Sequence, residues 1–155
     1  MIKMRIAVVA VAVSFMTATA CFAANPHVGT WKTNEAKSKP APGMGKTNTV
    51  MYAEKKDQLQ VTVDGMDKDG KPTHGVWTGK TDGKAYKVKG NLSWDMMAYK
   101  MVDENTYDIT AMKGGKTTWS ASSTVAKDGK TRTLNMTGTD ADGKKFKAKI
   151  VYDKE

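Results

Sequence analysis

Beyond position 24 the chain carries two histidines, one arginine, eight methionines and no cysteine. These are the side chains with most scope for chemistry. A histidine acts as a general base only beside a nucleophile or carboxylate that the fold brings to it. Neither Gly-x-Ser-x-Gly nor His-x-x-x-His occurs. His27 is expected at a disordered start, and His74, in Lys71-Pro72-Thr73-His74-Gly75, on the rim or surface of a strand. No catalytic residue is expected, and the chain does not read as an enzyme. Asp64-Gly65-Met66-Asp67-Lys68-Asp69-Gly70 has the density of acids of a calcium loop. Aligned on Gly70, however, it puts Gly65 at the first ligand position and Val76 at the bidentate one, so the EF-hand pattern fails. The methionines are Met44, Met51, Met66, Met96, Met97, Met101, Met112 and Met136. Thioethers bind Cu(I) where histidine joins them. With histidine scarce, they read as an adaptable apolar wall. No metal site and no cofactor are expected. Arg132 shares its alternation phase with Leu134 and Met136. It either points inward, where a guanidinium grips an anionic head group, or lies on a rim with its stem on an aromatic such as Trp119.

Those side chains need a compartment and a scaffold. Met1 to Arg5 holds Lys3 and Arg5, Ile6 to Phe15 is uncharged and apolar, and Thr17 to Ala24 is small and weakly polar. That order is a secretory signal peptide over residues 1–24, with cleavage expected after Ala23 or Ala24. Thr19-Ala20-Cys21 also supports a second reading, a lipoprotein anchor at Cys21, although Ala18 stands where such sites favour Leu. A periplasmic or secreted protein is expected. The whole chain has 155 residues and a net charge of +9; without the leader it has 131 residues at +7. That is one domain, residues 25–155.

From Asn25 onward, alternation with period two replaces helical periodicity. Leu59, Val61 and Val63 alternate with polar neighbours; so do Tyr107, Ile109 and Ala111, and Phe146, Ala148, Ile150 and Tyr152. Asp69-Gly70-Lys71, Asp82-Gly83-Lys84, Asp128-Gly129-Lys130, Asp142-Gly143-Lys144 and Gly114-Gly115-Lys116 read as hairpin turns. Strands are expected near 28–33, 47–55, 58–66, 72–80, 84–88, 94–102, 105–112, 116–126, 130–139 and 144–153. The fold class is therefore all-β. An antiparallel up-and-down meander of about ten strands closes into a barrel, because closure removes exposed edges. An open sheet or flattened sandwich is the alternative. Residues 34–46, with Pro40, Pro42, Gly43 and Gly45, exclude a long helix and read as an irregular flap across one end. The 22 lysines outside the leader fall on outward phases and turns. Nucleic-acid binders concentrate charge and use arginine, so no nucleic-acid partner is expected. Weak, salt-sensitive contact with anionic envelope surfaces is compatible with the charge.

Gly29-Thr30-Trp31 resembles the Gly-x-Trp that opens lipocalins and fatty-acid-binding proteins, the calycin group. Val151-Tyr152-Asp153-Lys154-Glu155 is similar to the last strand of the fatty-acid-binding branch. The string Gly29-Thr30-Trp31-Lys32-Thr33-Asn34-Glu35-Ala36-Lys37-Ser38-Lys39 also resembles small secreted bacterial proteins of lipocalin-like type. The resemblance implies that Trp31 plugs a closed barrel end. Three departures stand beside it. Residues 34–46 do not supply the helical lid; Ile150 stands where an Arg-x-Tyr carboxylate clamp would have its arginine; and no match to the late arginine that covers the tryptophan is visible. The resemblance and the architecture together imply binding of a small apolar or amphipathic ligand by a monomer. The expected lining is Trp31, Tyr52, Val61, Trp77, Tyr99, Met101, Ile109, Trp119, Arg132, Met136 and Phe146. The alternative is a filled, ligand-free barrel that acts through its cationic outer face on an envelope partner or an enzyme.

Overall fold

The computed structural model describes residues 24–155. All but the last residue of the expected signal peptide, Cys21 included, lies outside the described residues. Ten strands follow one another: β1 Gly29–Thr33, β2 Lys46–Lys55, β3 Gln58–Met66, β4 Pro72–Gly79, β5 Asp82–Gly90, β6 Met96–Asp103, β7 Thr106–Lys113, β8 Lys116–Val125, β9 Thr131–Thr139 and β10 Lys145–Lys154. Each pairs antiparallel with its sequence neighbour, and β1 pairs with β10 as well, so the meander closes into a barrel with no free edge.

Alternation decides what faces inward. In β7, Tyr107, Ile109 and Ala111 are buried and Asp108 is exposed; in β10, Ala148, Ile150 and Tyr152 are buried while Lys145, Lys147 and Lys149 are exposed. A slip of one residue would put the lysines inside, which fixes the register. Two of the Asp-Gly turns share a device. The Asp67 Oδ1 accepts from the amides of Asp69 and Lys71, and the Asp140 Oδ1 from those of Asp142 and Lys144. Gly70 and Gly143 follow with positive φ. The carboxylate of Asp67 thus holds its own turn.

Asp82-Gly83 departs from the expected turn. It lies inside β5, where the register shifts between Asp82 and Ala85. Lys80-Thr81 makes the link, and Gly83, at φ +82°, makes a bulge. The flap at 34–46 also does more than cross an end. After a single 3-10 turn at Glu35–Lys37, Lys39 exchanges both backbone hydrogen bonds with Lys149 of β10. The segment continues the short β1 along β10 before Ala41 and Met44 fold onto the core.

The two barrel ends are distinct. The start of β1 gathers Trp31, Tyr52, Tyr107, Arg132 and Tyr152, all at most 2 % exposed. The opposite end gathers Trp94, Trp119, Phe146 and Met44, which are half-buried against the core.

Candidate functional site

At the Trp31 end the N-terminal turn acts as a stopper. The Trp31 Nε1 donates to the His27 carbonyl at 2.8 Å, and the Asn25 amide donates to the Tyr107 hydroxyl at 3.0 Å. His27, expected at a disordered start, is instead fully buried, its ring stacked 4.1 Å from that of Tyr107. Burial, and next the positive charge of Arg132, push its pKa down to about 4. Neither ring nitrogen has a hydrogen-bond partner. An apolar pattern does not reveal such a residue: the ring is held by its neighbours and not by an alternating strand.

Arg132 is 1 % exposed. Its guanidinium carbon lies 4.6 Å from the Tyr52 ring centre, 4.5 Å from that of Tyr152 and 5.6 Å from that of Trp31. Its alternation phase fits either an inward position or a rim position beside Trp119. It is inward, and its aromatics are at the other end of the barrel from Trp119. An arginine over the opening tryptophan, for which the sequence showed no match, is therefore present in space. No described ion pair involves Arg132. Three rings supply the cation–π attraction that partly offsets its desolvation.

Of the expected lining, Trp31, Tyr52, Val61, Trp77, Tyr99, Ile109, Arg132 and Met136 are buried. They form a packed interior. Trp77 donates to the Met97 carbonyl at 2.8 Å and lies 4.5 Å from Tyr99, whose hydroxyl is 3.4 Å from that of Tyr52. Burial holds the Tyr99 and Tyr152 hydroxyls above the usual phenol range. Met101 does not join them. It has the inward phase, opposite Tyr107, but sits where β6 runs out, just before its register with β7 shifts, and is 49 % exposed. Alternation sets the face of a strand and says nothing of where the barrel stops.

Trp119 and Phe146 keep the inward phase, in line with Gly138, but at the far end, and they are only half-buried. Residues 117–120, 137–139 and 145–147 line an open groove of about 460 Å³, in which Lys145, Lys147, Thr137 and Ser120 take the outward phase, opposite to the two rings. Trp94 closes edge-on against Trp119, with ring centres 5.3 Å apart. A second groove of about 300 Å³ continues from it through the shared Ser120 and Thr137 to Asp108 and Asn135. Neither groove touches Trp31, Tyr52, Trp77 or Tyr99. His74 lies elsewhere, exposed, with its Nδ1 2.7 Å from the Asp64 carboxylate.

No protein-family model matches the chain, and no curated protein matches it. Among solved structures, a redesigned β-barrel is similar over 88 % of this chain and 97 % of its own, at 18 % identity and a TM-score of 0.47.

Proposed function

We propose that the protein is a periplasmic or secreted barrel of the calycin kind that binds a small amphipathic molecule at its Trp119 end, not in its lumen. The observation that carries the reading is the open groove of about 460 Å³ at this rim, lined by the strand ends that carry Trp119 and Phe146 on their inward face and Lys145 and Lys147 on their outward face. Apolar area removed from water on the rings drives binding, and the ammonium groups orient an anionic head. Kinship with the calycins is supported by Gly29-Thr30-Trp31 at the start of β1, by Arg132 over Trp31, and by the closed antiparallel meander. The signal-peptide order of residues 1–24 supports the compartment. The displacement from lumen to rim follows from packing, since aromatic side chains occupy the interior.

The same packed interior favours a second reading. A filled barrel would act through its lysine face, with Lys145, Lys147 and Lys149 aligned on β10. The anionic dye anilinonaphthalenesulfonate separates the two. A rim site gives saturable binding with blue-shifted emission, lost in Trp119→Ala and Phe146→Ala and weakened in Lys147→Glu. Dye binding that is absent, or that survives both aromatic truncations, overturns the rim site.

A further inference from the structure

We propose that the Trp31 end of the barrel encloses a small monoanion of halide size, held by the Arg132 guanidinium with His27 and Ser123. The inference is independent of the rim site and begins from unpaired groups. Arg132 Nε and Nη1, both ring nitrogens of His27 and the Ser123 hydroxyl are buried and have no hydrogen-bond partner. His27 and Ser123 are fully buried and Arg132 nearly so. Buried polar atoms are almost always paired, so unpaired atoms on three side chains at one place call for a common partner.

Topology brings them together. Ser123 is the register partner of Tyr107, whose ring stacks on His27, and of Leu134, two residues along β9 from Arg132. Tyr52 lies against both Arg132 and His27. With Tyr52 and Tyr152 rings close to the guanidinium, its unpaired N–H groups remain the open positions for an acceptor. A neutral His27 adds one N–H and Ser123 one O–H.

Charge selects an anion over a neutral acceptor. A guanidinium carries a full, delocalised positive charge. Rings attract a cation but do not neutralise it, and a buried charge without a counter-charge is costly. Lys154 adds a second cation, its Nζ 5.1 Å from the Trp31 ring centre. Size follows from the stopper: His27 and Trp31 close the end, so there is no path for a chain-bearing carboxylate.

The test is diffraction from crystals of the unmodified mature protein grown in bromide, with data collected at the bromine edge. It is paired with denaturant unfolding across bromide concentrations, gluconate holding ionic strength constant. An anomalous peak within hydrogen-bond reach of Arg132 is expected. Above the dissociation constant, the folding equilibrium should rise about tenfold per tenfold rise in bromide. Arg132→Met should lose that dependence; if this variant does not fold, Ser123→Ala is expected to weaken it several-fold. A bromide map with no anomalous peak beside Arg132 overturns the proposal, whatever the unfolding curves show.

Discussion

At the Trp31 end, rings, a guanidinium and an imidazole are packed beyond the reach of solvent, and the chain's first turn is tied over them. At the Trp119 end, rings of the same kind stop half-buried, and the nearby cations are lysines in water. The composition of the two ends is similar, since each has tryptophan, another aromatic and basic side chains. What differs is whether the basic groups were taken from water. At the first end they were, so every unpaired atom there carries a desolvation cost that close packing or a bound counter-ion must offset. At the second the lysines were not, although the Trp94 Nε1 and the Asp95 Oδ1 are buried without a partner, so the ammonium groups and exposed ring edges remain available to something else. The first end is built to hold the fold, and the second has the freedom that recognition requires.

The strongest test of that contrast is truncation of one tryptophan at each end. Trp31→Ala empties a fully buried ring, deletes the donor to His27 and takes one of the three rings from Arg132. Loss of such a core aromatic costs roughly 3–5 kcal/mol. Trp119→Ala removes a half-buried ring and should cost about 1 kcal/mol, because less area returns to water. Urea unfolding of both variants measures the gap. Equal losses would show that the ends are alike.

Acid is the next largest probe, and between pH 6.5 and 4 it acts on the buried imidazole at the Trp31 end. His27 is held neutral in the folded protein, with its pKa pushed from 6.5 down to about 4. Between those values the unfolded chain binds a proton that the folded one refuses. Stability from this group is therefore complete above about pH 6.5, falls as pH drops towards 4, and changes no further below. The loss is roughly 3 kcal/mol at most. His27→Gln should flatten that part of the stability–pH curve. A slope unchanged by the substitution would mean that the ring is not the titrating group.

Much of this architecture was legible in the chain. Period-two runs such as Leu59-x-Val61-x-Val63, broken by Asp-Gly, located ten strands, because a single-faced sheet must alternate and a tight turn needs positive φ. The inward faces of β3, β7 and β10 followed directly. The ends were less legible. Alternation placed Met101 and Tyr107 on one face, but one is exposed and the other buried, since closure and register shifts decide where the wall ends. His27 belongs to no strand, and its burial depends on Tyr107, 80 positions later. Arg132 had the right phase, but its rings come from β1, β2 and β10, which no local pattern joins.

A smaller expected effect than that of acid sharpens the account of the Trp119 end. Gly138 has no side chain, and the Phe146 ring lies over it; an added Cβ would meet ring atoms at 2.7 and 2.8 Å and the Thr118 carbonyl at 2.6 Å. A ring laid on a glycine of the neighbouring strand closes a sheet end without a buried branch. Gly138→Ala should displace Phe146 outward and strain β8, at about 1–2 kcal/mol, in the lower part of the range for overpacking. If that ring forms one wall of a binding groove, the variant should lose dye affinity several-fold more than the unfolding change alone implies. The substitution is far from Arg132 and His27, so the stability–pH curve between 6.5 and 4 should keep its slope. A change in that slope would mean the two ends are coupled through the packed interior, and the division between a holding end and a recognising end would fail.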